Sequence, residues 1–146
     1  MKQLPQQLLW AALVLVNCQF CALQKNPTNA IPGLKDAYRS DFLIGTALTN
    51  KYIEKTNRPG NDLIRKQFNT ITPENCMKAA LIHPEWGRYD FTLADKLVAY
   101  CKKNKLLLNG HTLVWHSQLP RFAHQIQNQD SFKLFFESHI TAVATR

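Results

Sequence analysis

The amino-acid sequence predicts an α/β fold assembled from parallel βαβ units. Three observations carry that expectation: short apolar runs closed by Gly or Pro, amphipathic segments between them, and a regular strand–helix alternation. Residues 41–45, Asp-Phe-Leu-Ile-Gly, form the first expected strand. Pro59-Gly60 marks a turn, after which Asn61 or Asp62 is placed to cap a short helix through Leu63, Ile64 and Gln67. Residues 68–72 read as a second strand closed by Pro73. The clearest helix starts at Thr92, where Asp95 three residues on completes a capping-box pattern. Ala94, Leu97, Val98 and Cys101 then fall on one face, and Asn104 is the expected stop. Residues 106–108 give a third strand running into Asn109-Gly110-His111. A third helix begins near Asp130 and carries Phe132, Phe135, Phe136, Ile140 and Val143 on one side. Three such units cannot close a barrel, so Phe42, Ile44, Ile71 and Leu107 are expected to face inward without opposing neighbours.

With 146 residues, 45% of them hydrophobic, the chain is too apolar for a disordered polymer. Its 18 basic and 10 acidic side chains leave a formal charge of +8, which raises the question of nucleic acid. The placement of the charges argues against it. The densest group, Lys102, Lys103 and Lys105, sits at a helix end where cations complement the macrodipole, and no basic stripe interleaves with aromatics.

Residues 1–23 read as a signal peptide: Lys2 precedes the apolar run Leu8–Val16, too short to span a bilayer. The expected destination is secretion, to the periplasm, the cell surface or the medium. Leu15-Val16-Asn17-Cys18 loosely resembles a lipoprotein box, so lipid anchoring through Cys18 is the alternative, with Asn17 a poor fit. Residues 24–33, with Pro27, Pro32 and Gly33, form an expected linker, and residues 34–146 the domain. Cys18 and Cys21 make a CxxC without a redox or metal context, and Cys76 and Cys101 suggest no disulfide framework.

In parallel α/β folds chemistry gathers where strands end. After the second strand comes Thr72-Pro73-Glu74-Asn75-Cys76-Met77-Lys78, a carboxylate, an amide and an ammonium within five residues. After the third comes Gly110-His111-Thr112-Leu113-Val114-Trp115-His116-Ser117-Gln118, with two imidazoles, an indole and an amide. Taken singly, each has an ordinary structural role available. Glu74 and Lys78 could be an i, i+4 ion pair, and the histidines could be satisfied core groups. Together they match a polyhydroxylated ligand, with donors and acceptors for hydroxyls and a flat face for a sugar ring. No HxH or HExxH spacing supports a metal, and no cofactor is implied.

These blocks, with Pro84-x-x-Gly87-x-Tyr89-x-Phe91-x-x-Ala94-Asp95 between them, resemble glycoside hydrolase family 10, the endo-1,4-β-xylanases. The likeness runs from about Leu34 to Phe122 and more loosely to Arg146. It implies a (β/α)8 TIM barrel, of which this chain holds about the first three βα units, that cuts internal β-1,4-xylosidic bonds of xylan or xylo-oligosaccharides with retention. It further implies that Glu74, Asn75 and Lys78 hold sugars on the non-reducing side of the cut. His111 and Trp115 would contact the sugar beside the scissile bond, and His116 and Gln118 would shape the cleft. Where the family often has Trp-Glu after the Met-Lys pair, this chain has Ala79-Ala80. By the family pattern both catalytic glutamates follow later strands, so no residue here is assigned a catalytic role. The expectation is a truncated, inactive portion of a monomeric enzyme. A non-catalytic carbohydrate-binding remnant is the rival.

Overall fold

A computed structural model describes residues 31–55 and 58–146. The expected leader, with Cys18 and Cys21, and residues 24–30 of the expected linker lie outside the described residues.

The elements run α1 (Leu34–Ala37), β1 (Gly45–Leu48), α2 (Asn50–Glu54), α3 (Asn61–Gln67), β2 (Thr70–Pro73), α4 (Ala79–Ile82), α5 (Thr92–Asn104), β3 (Leu107–Leu108), a 3-10 turn (Arg121–Gln125) and α6 (Gln129–Ala144). The three strands form one parallel sheet in the order β1-β2-β3, with Thr46 opposite Ile71 and Ile71 opposite Leu108. Each strand is followed by helix, so the expected alternation holds.

The first strand starts later than its apolar run suggests. Asp41 and Phe42 donate their backbone N–H groups to Tyr38 O at 2.9 and 3.1 Å, which turns that segment away from the sheet. Phe42 stacks on Tyr38 and stays 57% exposed. Pairing begins at Gly45, where a Cβ would stand 2.9 Å from Thr70 Cγ2, so a side chain would push β1 off β2. Gly33 answers a tighter demand: a Cβ there would meet Lys66 O at 1.8 Å. Pro73 belongs to β2, as its last residue, and the ladder continues through Glu74 N–H to Leu48 O at 3.0 Å.

Ile71 does not face inward. It is 0% exposed on the helix side of the sheet, in a core with Leu48, Ile53, Ile64, Cys76, Leu97, Tyr100, Cys101 and Leu106. Strand alternation then puts Gly45, Ala47 and Leu107 on the opposite, uncovered face. Burial pushes the thiols of Cys76 and Cys101 up to about 11, and both are free.

The caps also differ from the expected ones. Gly60, in the left-handed region at φ 82°, precedes α3, and Asn61 lies inside it, its Oδ1 accepting from the hydroxyls of Tyr52 and Tyr100, each at 2.9 Å. Thr92 is the first residue of α5 rather than its cap. Its N–H is taken by Asp90 Oδ1 at 2.9 Å, and Asp95 pairs with Arg146 instead of closing a capping box. Within α5 the fully buried face is Ala94, Leu97, Tyr100 and Cys101, and Val98 is half-buried. The helix stops as expected after Asn104: Lys105 turns left-handed, and Leu106 N–H reaches Cys101 O at 2.9 Å.

On α6 the deepest positions are Phe135 and His139, flanked by half-buried Phe132, Phe136 and Val143, while Ile140 turns outward. His139 replaces Ile140 because it stacks, near-parallel at 5.7 Å, on His83 at the end of α4. His83 also meets Tyr89, Phe122 and Phe135 at ring centroid distances of 4.1, 5.3 and 5.4 Å. This aromatic cluster joins α4, the 3-10 turn and α6.

Candidate functional site

Two segments meet at the C-terminal end of the sheet. The first, Glu74 to Lys78, leaves β2 as a turn closed by Lys78 N–H to Asn75 O at 2.8 Å. Cys76 is buried below it and Met77 packs on the same core, so the turn is anchored by its apolar members. The second leaves β3 at Asn109, whose N–H donates to Ile71 O at 2.8 Å. Its Nδ2 reaches Thr72 Oγ1 at 3.3 Å, a link between the ends of β2 and β3 at a residue that the sequence reading gave no site role.

The segments are joined in three places. Lys78, only 4% exposed, carries its ammonium over the Trp115 ring, 4.3 Å from the centroid. Gln118 donates from Nε2 to Asn75 Oδ1 at 3.0 Å. Gln118 also accepts, through its backbone oxygen, the N–H of Ala80 at 2.9 Å. The small Ala79-Ala80 pair thus sits at the junction, with Ala79 buried. His116 lies edge-on to Trp115 at 5.5 Å.

Asn75, Lys78, Trp115, His116 and Gln118 are therefore one constellation. Glu74 and His111 lie exposed on the same two segments and bond to none of the others. Glu74 and Lys78 make no ion pair; the ammonium is held by the indole face instead. Among the described residues no three His, Cys, Asp or Glu side chains converge as a metal site would need, and no helix is long and apolar enough to cross a membrane.

Six of the other nine acidic groups serve the fold. Asp62 pairs with Arg65, Glu85 with Arg88, Asp95 with Arg146 and Glu137 with Lys133. Asp36 accepts from Gly33 N–H, and Asp90 from Thr92 N–H. What remains at the sheet end is one carboxylate beside donors, acceptors and an aromatic face, groups of the kinds that could meet a hydroxylated ring.

A parallel βα sheet with polar loops at its C-terminal edge is the arrangement in which (β/α)8 barrel enzymes place their sites. The sequence profile described as glycosyl hydrolase family 10 matches residues 33–146, and the chain belongs to that family. The chain is 40% identical over 109 residues to endo-1,4-beta-xylanase A of Xylanibacter ruminicola, covering 71% of this chain and 30% of that protein. With the beta-1,4-xylanase of Dictyoglomus thermophilum the identity is 39% over 113 residues, 77% of this chain and 31% of the other. Xylanase 10B of Thermotoga petrophila, solved in complex with xylobiose, superposes with a TM-score of 0.68 at 36% identity, covering 76% of this chain and 35% of that one. The chain thus spans about a third or less of the relatives it matches, and its three parallel strands form part of a (β/α)8 TIM barrel.

Proposed function

We propose that this chain is the N-terminal portion of a retaining endo-1,4-β-xylanase and supplies its glycone-binding loops. The single observation that carries the proposal is the joining of the Glu74–Lys78 and His111–Gln118 segments at the sheet's C-terminal end, in a chain of family 10. Glu74, Asn75, Lys78, His111, Trp115, His116 and Gln118 line the cleft. Lys78 offers a fixed positive donor, Asn75 and Gln118 offer amides, and Trp115 offers a face for the sugar ring. Xylan or xylo-oligosaccharide is the ligand, and the whole enzyme acts as a monomer.

These residues bind rather than react. Retaining hydrolysis requires an acid/base and a nucleophilic carboxyl about 5–5.5 Å apart. Of the 10 acidic residues only Glu74 stands at a strand end, so the chain by itself lacks the pair and is inactive. Residues 1–23 direct export, with acylation of Cys18 as the variant, and the intact mass of exported protein decides both. Persistence of Met1–Val16 in mature protein overturns the leader.

The test is two assays on the purified chain: reducing-sugar release from xylan, and titration with xylotriose. Binding without release is expected. Release that survives further purification would assign catalysis to these loops, and absence of binding would remove the proposed role. A completed enzyme that bound xylan but never cut it would favour the carbohydrate-binding rival.

A further inference from the structure

The core that covers the sheet is built from β1, β2, α2, α3, α5 and the residues beside them, and it takes no side chain from α6. Among the described residues no main-chain hydrogen bond leaves α6 for another element. Between α5 and α6 lies a gap of about 360 Å3, lined by Ala94, Val98 and Lys102 on one side and Val143 and Arg146 on the other. The two helices therefore do not close on each other there. What holds α6 is found at two places. One is the cluster in which Phe135 and His139 meet His83 and Phe122. The other is the pairing of Arg146, just beyond the helix, with Asp95, where both side chains are about half exposed.

Of these two attachments, only the cluster is dry. His83 and His139 are each 1% exposed, and none of their four ring nitrogens has a hydrogen-bond partner among the described residues. Burial lowers the His139 pKa, and the Leu113 backbone offsets part of that without closing a hydrogen bond. The charged groups of the elements packed around the pair are engaged elsewhere. Glu85 pairs with Arg88, Lys133 pairs with Glu137, and Asp90 accepts from Thr92. Lys78 and His116 lie against Trp115, and His111, Arg121, His124 and Asp130 are exposed. Tyr89 meets His83 through its ring, at 4.1 Å between centroids. No counter-charge reaches either imidazole, so the docked helix requires both to be neutral.

We infer that α6 docks as a separate element, held by the neutral His83–His139 pair, and that it opens ahead of the sheet as the pH falls. Undocking returns both imidazoles to water, where His83 regains its ordinary 6.5 in place of about 4. Docking is therefore undiminished above that ordinary value and weakens as pH falls from 6.5 toward 4. The Asp95–Arg146 pair does not supply the trigger. Arg146 holds the Asp95 carboxyl below its ordinary 3.8, so the pair stays charged across the window.

Amide hydrogen exchange of the full chain, followed peptide by peptide and corrected for its intrinsic pH dependence, reads the two parts separately. A 16-residue helix stripped of its packing is marginal in water, so undocking exposes its amides. Through His83 alone, the opening of residues 129–144 should rise about twentyfold from pH 7 to pH 5, while α5 and β2 keep their protection. His83→Phe/His139→Phe should abolish the rise. Asp95→Asn should increase the opening by the same factor at every pH and leave the rise intact. Equal loss of protection in α5 and α6, or a wild-type α6 whose opening stays flat between pH 7 and pH 5, would overturn the inference. So would a rise that survives in the double variant, or one that disappears in Asp95→Asn.

Discussion

Glu74 and Lys78 stand four residues apart on one loop and have opposite fates. Lys78 is buried, its ammonium set over Trp115, so its removal disturbs the fold and the site together. Glu74 is exposed and its carboxylate bonds to no described side chain, so its removal should touch the site alone. Glu74→Ala is expected to leave the melting temperature unchanged. It should weaken xylotriose binding by roughly one to two decades, since a hydrogen bond to a charged group contributes about 1.5–3 kcal/mol. In a whole enzyme the same change should lower kcat/KM most on short substrates, because longer ones recover binding from other subsites. Both limbs of its pH–rate profile should persist. Loss of a limb would show that Glu74 itself titrates in the reaction.

Among the elements, α6 shows how a helix is set by its start and by its partners. Asn128 caps it, Oδ1 accepting from the N–H groups of Asp130 at 2.8 Å and Ser131 at 3.2 Å. Asn128→Ala should cost about 1 kcal/mol, read as a lower urea midpoint with an unchanged slope. The sequence pattern placed the helix and missed its cap, because Asp130 looks as good a cap as Asn128 when only residue type is visible. The same ambiguity explains α5. Thr92 and Asp95 have the spacing of a capping box, but Arg146, 51 residues away, takes the Asp95 carboxylate and lowers its pKa from the ordinary value. Arg146 also lies over the Phe91 ring at 4.4 Å, so the start of α5 is tied to the end of α6.

For the molecule as a whole, the His83–His139 stack makes acid a specific threat. Burial, then the neighbouring His139, pushes the His83 imidazole down to about 4, and burial lowers His139 as well. Neither nitrogen of His83 has a hydrogen-bond partner among the described residues, so nothing offsets the cost of charging it. The sign follows from linkage. Between the ordinary value of 6.5 and about 4, the unfolded chain binds a proton that the folded chain refuses. Stability should be complete above that window and fall as pH drops through it. His83→Phe should remove about 2 kcal/mol of the difference in unfolding free energy between pH 7 and pH 4, measured by urea titration at both pH values. An equal loss in wild type and variant would place the acid sensitivity elsewhere.

The βα alternation, the C-terminal stop of α5 and the polar strand ends were all legible in residue order. Each depends on local signals: short apolar runs closed by Gly or Pro, a helical period, an asparagine at the end of that period. The family resemblance was legible for the same reason, since its motifs are contiguous blocks. What residue order could not show were facts about neighbours distant in the chain. Ile71 looked inward-facing, and packing against Leu97 and Cys101 put it on the helix side. Asn61 looked like a cap and became the acceptor for two tyrosines. An ion pair with Glu74 was one role open to Lys78, and its ammonium went to Trp115 instead. A periodic pattern says which side chains share a face, but only the packed chain supplies the atom that each polar group meets, and a buried donor or charge goes to the partner that compensates its desolvation.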